Sequence, residues 1–209
     1  MVVFTHMKVI SVLKKVLSVL FPPRADETIV DTLTVDAFRS LLLPKSKRGV
    51  TTLLPYSNST VRSVLWEAKF HRNEKAISLL AHVLADYLQN EKGHWLLVPI
   101  PVAPKRLQTR GYNQCELIAH EAVSILNYGE VLPALKKNKE TATQTSLPRD
   151  QRLRNVEGAF EMHYDNKLRD AKIFVLDDVT TTGATLDEAR RAFMAHGVSV
   201  TCIALTRAG

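Results

Sequence analysis

Apolar positions along this chain recur with two different periods. Val9, Val12, Leu13, Val16 and Leu20 fall at i, i+3, i+4, i+7 and i+11, the spacing of one helix face. They predict a short amphipathic helix within residues 7–21, stopped by Pro22-Pro23. Residues 22–58 hold four prolines and the basic stretch Lys45-Ser46-Lys47-Arg48-Gly49, and predict an irregular arm. Regularity resumes at Thr60. Val61, Val64, Leu65 and Ala68 make one helical stripe, and Ile77, Leu80, Ala81, Leu84 and Leu88 a longer one. Cys115, Ile118, Ala119, Ala122 and Leu126 mark a third helix. A fourth runs from Thr185 to His196, with Asp187 and Glu188 early, Arg190 and Arg191 late, and Gly197 as a stop. That charge order suits the helix dipole.

Three other segments read as strands. Trp95-Leu96-Leu97-Val98, Ile173-Phe174-Val175-Leu176 and Val198 to Leu205 are apolar runs of strand length. Strands alternating with helices predict an α/β fold with a mostly parallel sheet covered on both faces. Residues 136–158 are polar and basic with no sustained period, and a loop that long inside a compact domain is usually functional or disordered. Gly158-Ala159-Phe160 after it reads as a strand at the ligand edge of the sheet, with Phe160 in the core. The expected organisation is an arm over residues 1–55 and one α/β domain over 56–209.

Composition narrows the function classes. Lys8, Lys14 and Lys15 interrupt the first apolar stretch, so no run approaches the ~18 uncharged residues of a membrane span. A signal peptide fits poorly, because the lysine pair splits its apolar region and no small-residue cleavage site follows. Cys115 and Cys202 are the only two cysteines and lie far apart. That argues against a disulfide framework and a structural zinc, and for a reducing, cytoplasmic setting. The net charge of +7 attracts polyanions, whether nucleic acid or a small phosphorylated substrate, and a solvated basic surface is the plainer alternative. His71, His82, His94, His120, His163 and His196 show no ligand spacing. Lys69 sits where it could reach the anionic site, but a solvated helix end is the expectation; Trp66 and Trp95 read as core or semi-buried packing, and Cys115 as a buried small residue.

The candidate chemistry begins at Asp177-Asp178-Val179-Thr180-Thr181-Thr182-Gly183-Ala184-Thr185. The two aspartates follow an apolar strand, so a parallel sheet delivers them to its carboxyl edge, where ligands bind. Thr181, Thr182, Gly183, Ala184 and Thr185 fill the turn into the next helix. Backbone N–H groups, the helix dipole and threonine hydroxyls there suit a phosphate, and Gly183 permits close approach. Carboxylates repel phosphate, so the acidic pair makes sense if it accepts hydrogen bonds from the 2- and 3-hydroxyls of a ribose carrying that phosphate. No GxxxxGK[ST] is present, which excludes a P-loop. This stretch resembles the motif of type I phosphoribosyltransferases that binds 5-phosphoribosyl-1-pyrophosphate (PRPP).

A second cluster follows Val98-Pro99-Ile100-Pro101. Lys105, Arg106 and Arg110, then Gly111-Tyr112-Asn113-Gln114, suit a diphosphate clamp, with Arg110 able to bond bidentately; alone, the cluster is a solvated basic loop at least as readily. Together with Thr143-Gln144, Arg149 and Arg154-Asn155-Val156-Glu157-Gly158-Ala159-Phe160, it resembles the competence protein F family of phosphoribosyltransferase-like proteins over residues 56–209. The resemblance implies a type I phosphoribosyltransferase fold with a five-stranded sheet, a flexible hood and a small arm. It puts the 5-phosphate at Thr181–Thr185, ribose at Asp177 and Asp178, pyrophosphate at Lys105, Arg106 and Arg110, and the second substrate under a hood holding Gln144, Arg154 and Asn155.

Magnesium would arrive with PRPP rather than on protein ligands. The four-cysteine zinc module of many members has no counterpart in Leu20-Phe21-Pro22-Pro23-Arg24-Ala25-Asp26, so no zinc is expected. Two functions follow as expectations. One is transfer of 5-phosphoribosyl to a nucleophile with release of pyrophosphate. The other is a non-catalytic role in DNA uptake or processing, with single-stranded DNA and DNA-processing proteins as partners and PRPP as a regulatory ligand. A homo-oligomer stays open in both.

Overall fold

The computed structural model describes residues 24–138, 158–163 and 165–208. The amphipathic helix expected within 7–21 lies outside these residues, as do Gln144, Arg154 and Asn155 of the expected hood.

Two short helices come first, α1 (Ala25–Thr32) and α2 (Val35–Arg39), then the hairpin β1 (Lys45–Lys47) and β2 (Val50–Leu54). Helices α3 (Ser59–Phe70) and α4 (Glu74–Leu88) precede β3 (Trp95–Pro99). Next come α5 (Pro104–Arg110), α6 (Gln114–Leu126), β4 (Glu130–Val131) and β5 (Leu135–Lys137). The chain ends on β6 (Phe160–Met162), β7 (Lys172–Thr180), α7 (Ala184–Met194) and β8 (Val200–Arg207). Local chemistry sets the helix starts: Asn58, Asn73 and Asn113 each accept a backbone N–H from the first turn of α3, α4 and α6.

Six strands, one more than the five expected, form the main sheet in the order β1-β2-β8-β7-β3-β4. Only the β1–β2 pair is antiparallel. The arm expected over residues 22–58 is therefore corrected for 25–54, because β2 is a buried interior strand beside β8. Its five residues between Pro44 and Pro55 were too short a run to stand out among the prolines. A second correction concerns Phe160: β6 pairs with β5 in a separate two-stranded sheet, not with the ligand edge of the main one. Phe160 is buried, as expected.

The pleat divides the core in two. Trp95 and Leu97, Phe174 and Leu176, and Ile203 and Leu205 face the layer built from α1–α4 and α6. Their neighbours Leu96 and Val98, Ile173 and Val175, and Cys202 and Ala204 face α7 and the β5–β6 sheet. Continuous apolar runs are the mark of parallel strands buried on both sides. The parallel strands also end at one common edge, and that edge carries the site.

Candidate functional site

Asp177 and Asp178 lie within β7, which runs on to Thr180, rather than just after it. Asp177 pairs in register with Ala204 of β8. Both carboxylates are buried, at 8% and 6% exposure, so each must find partners or keep a proton. Asp178 is the better supplied. Its Oδ2 accepts from Lys69 Nζ at 2.6 Å and from Gln114 Nε2 at 2.9 Å, and its Oδ1 accepts from the Val179 N–H at 2.8 Å. Asp177 Oδ1 accepts the Asp178 N–H at 2.9 Å.

These contacts split the pair electrostatically. Burial, followed by the neighbouring negative charge of Asp178, pushes the Asp177 carboxyl well above the usual carboxylate range. Burial also opposes ionisation of Asp178, but the Lys69 ammonium overcomes it and holds that carboxyl below its ordinary value. Burial works against the Lys69 charge too, and Asp178 more than offsets it, so the ammonium is held above its ordinary value. Cys115, also buried, brings its thiol within 4.8 Å of both carboxylates. Burial and the two carboxyls drive that thiol well above its normal range, which disfavours the thiolate.

Lys69 is a correction to the expected solvated helix end. It stands four residues after Leu65, on the border of the buried stripe of α3, and that spacing was the signal for it. Gln114 was within the basic motif but had been given no role. It starts α6, is 4% exposed, and accepts Arg110 Nη1 at 2.6 Å through Oε1. Arg110 thus reaches Asp178 through one side chain. Arg110 ends α5, with Gly111 (φ 80°) as its left-handed cap. Lys105 and Arg106 sit earlier on that helix, so the expected basic loop is a helix. Because α5 follows β3, the neighbour of β7, all three cations belong to the same sheet edge.

Beyond β7 the chain turns through Thr181 and Thr182 into α7, with Gly183 at its N-cap in the left-handed region (φ 96°). Thr182 Oγ1 accepts the Ala184 N–H at 3.3 Å. The buried Thr181 Oγ1 has no hydrogen-bond partner among the described residues. Arg207 of β8 braces the turn from behind, giving Nη1 to the Thr181 carbonyl at 3.0 Å and Nη2 to the Lys47 carbonyl at 3.4 Å. The structure thus brings Asp177, Asp178 and Thr181–Thr185 together on one continuous segment, with Arg110 linked to them through Gln114.

On the flank of α3, Trp66 and Phe70 are 50% and 46% exposed, with ring centroids 4.3 Å apart. The packing expected for Trp66 is corrected accordingly, whereas Trp95 is fully buried. The Arg110 guanidinium lies 5.2 Å from the Phe70 ring centroid.

Fold and site together define an α/β protein in which a buried carboxylate pair and a threonine-rich helix N-terminus share the carboxyl edge of a parallel sheet. The chain is 31% identical over 103 residues to competence protein F of Haemophilus influenzae, a match covering 49% of this chain and 45% of that protein. It is 27% identical over 177 residues to DNA utilization protein YhgH of Escherichia coli, covering 80% of this chain and 77% of that one. These relatives bear out the resemblance to the competence protein F family read from the motifs. Among solved structures, adenine phosphoribosyltransferase from Trypanosoma brucei superposes with a TM-score of 0.46 at 10% identity, over 79% of this chain and 86% of that one. No family model matches the chain. No helix among the described residues is long and apolar enough to cross a membrane.

Proposed function

We propose that the chain binds PRPP, with the magnesium it carries, at the carboxyl edge of the sheet and transfers its 5-phosphoribosyl group to a nucleophile, releasing pyrophosphate. One observation carries this reading: the partnerless buried hydroxyl of Thr181, beside the helix N-terminus at Gly183 and three residues beyond the acidic pair. A buried donor without a partner costs about 1–3 kcal/mol, and an anion at the turn would satisfy it. Backbone N–H groups of the first turn of α7 and the hydroxyls of Thr181, Thr182 and Thr185 then hold the 5-phosphate. Asp177 and Asp178 meet the ribose hydroxyls and stabilise positive charge developing at the ribose C1. Lys105, Arg106 and Arg110 take the pyrophosphate end, where the bound magnesium helps neutralise the leaving group. Under this reading Gln144, Arg154 and Asn155 shape the place of the second substrate.

The test is thermal-shift titration with PRPP–Mg²⁺, ribose 5-phosphate and pyrophosphate, followed by a pyrophosphate-release assay against a panel of nucleobases and amines. PRPP–Mg²⁺ is expected to give the largest shift, about 2.7 kcal/mol at 100 times its dissociation constant. Equal shifts from PRPP and pyrophosphate would count against a ribose site.

A second reading is a DNA-handling protein that keeps PRPP as a regulatory ligand. The exposed Trp66–Phe70 pair beside Arg110 favours it, because aromatic rings interleaved with cations stack single-stranded bases, and relatives carry names concerned with competence and DNA utilization. In that case DNA affinity falls by about 0.7 log unit per log unit of salt for each phosphate contacted. Flat, weak binding removes this reading.

A further inference from the structure

Two buried carboxyls next to a phosphate site pose an electrostatic difficulty that the surrounding side chains resolve. Asp178 receives three donors: the Lys69 ammonium, the Gln114 amide and the Val179 N–H. Among the described residues Asp177 has no salt bridge, and its Oδ1 is held by the Asp178 N–H. The charged or titratable groups facing Asp177 are Asp178 beside it on β7, Lys69 from α3, Cys115 from α6 and, electrostatically, the buried Cys202 thiol of β8. Its β8 neighbour in register is Ala204, which brings no charge. One cation therefore serves two acids. Ionising both would leave an uncompensated buried negative charge beside the ligand's phosphates.

We propose that Lys69, Asp178 and Asp177 form one charge-neutral unit, in which Lys69 cancels Asp178 and Asp177 carries a proton, so that a phosphorylated ribose is admitted beside two carboxyls. The roles in sugar binding then divide. Asp178 accepts a hydrogen bond from one ribose hydroxyl, and the Asp177 carboxylic acid donates to the other. The opposite shifts of the two carboxyls agree with this division. Lys69 acts through Asp178 and is a positioning residue. The inference rests on the PRPP reading for its ligand and on the geometry of the pair for its charge.

The sign of the pH effect follows. Below the titration of Asp177 the unit is neutral; as pH rises through it, the unit gains one negative charge and the affinity for an anionic ligand falls. The experiment has two arms. In the ligand-free protein, carboxyl-carbon NMR with ¹³C-labelled aspartate follows both acids against pH. Of the ten aspartate side-chain signals, that of Asp178, assigned with Asp178→Asn, is expected to stay ionised throughout the neutral range, and that of Asp177, assigned with Asp177→Asn, to titrate well above ordinary carboxylates. Lys69→Met should move the first upward and Lys69→Arg should restore it. In the second arm, PRPP–Mg²⁺ affinity is measured from pH 6 to pH 9.5. A fall of about tenfold is expected across the Asp177 titration. Asp177→Asn should abolish this slope, and at neutral pH it should cost less affinity than Asp178→Asn. Both acids titrating below pH 5 in the free wild-type protein would overturn the neutral unit. So would a Lys69→Met profile matching the wild type. Absence of any PRPP binding by the wild type would instead sink the PRPP reading, while the NMR arm still decides the charge of the pair.

Discussion

The acidic pair and the threonine turn adjoin on one segment, yet they are built on opposite plans. Asp177 and Asp178 lie inside a strand, and Asp178 is met by α3, α6 and its own backbone. Thr181 to Thr185 lie on a turn at a helix start, where the Thr181 hydroxyl is buried without a partner. The carboxylates are held by the protein whatever the ligand does; the turn offers donors still to be used. Strand positions give precision and helix starts give unspent N–H groups. A ligand with an anion at one end and a diol at the other uses both.

The sharpest way to break this contrast is at Gly183. A Cβ there must adopt φ 96° and would meet Asp187 Oδ2 at 3.4 Å. Gly183→Val is expected to distort the turn and cost at least about 100-fold in affinity for inorganic phosphate and PRPP alike. Calorimetric titration of both ligands checks it; loss of PRPP binding with phosphate binding intact would put the anion elsewhere. The double variant Asp177→Asn/Asp178→Asn should act on the other side of the contrast. Removing the charge-assisted contact of Asp178 and the hydrogen bond of Asp177 is expected to cost about 10- to 100-fold for PRPP and little for inorganic phosphate. Equal losses for the two ligands would show that the pair does not meet the sugar.

The smallest effect is also the most diagnostic, because stability and binding should move in opposite directions. Thr181→Val removes a buried hydroxyl that lacks a partner and keeps its shape. The ligand-free protein should become more stable, by up to about 1 kcal/mol, while phosphate binds about three- to tenfold more weakly. Thermal unfolding with and without phosphate reads both signs in one experiment. A loss of stability without ligand would mean that the hydroxyl is satisfied in solution.

How much of this was legible depended on whether the signal was local. β3, β7 and β8 announced themselves as apolar runs, and α3, α4, α6 and α7 by their stripes, because burial on one or both sides writes a period into the sequence. The turn at Thr181–Thr185 was legible for a similar reason: strand, acids, hydroxyls and glycine are consecutive. β1 and β2 were hidden because two short strands between prolines carry almost no period, and β2 joins the parallel sheet through β8, about 150 residues away. Lys69 was misjudged because its partner is 109 residues distant. From sequence, a lysine at a helix end is solvent-facing by default, and only the packing of α3 on the sheet edge brings it to Asp178. Trp66 failed in the opposite direction, since its place off the buried stripe of α3 said more than its residue type.

Arg207 has a consequence for how the molecule is made. β8 comes last of the eight strands among the described residues but lies third in the main sheet, between β2 and β7. From it Arg207 ties the Thr181 carbonyl to that of Lys47, and Ala208 donates its N–H to the Thr180 carbonyl at 2.9 Å. Pairings between such distant segments are slow to form, because the loop they close must be ordered before any contact rewards it. The Thr181 end of this brace lies only 26 residues from Arg207, within the β7–α7–β8 unit, whereas the Lys47 end closes a loop of 160 residues and is the slower to form. Until β8 docks, the turn lacks its Arg207 and Ala208 contacts, so recovery of phosphate binding on refolding should follow the docking of β8.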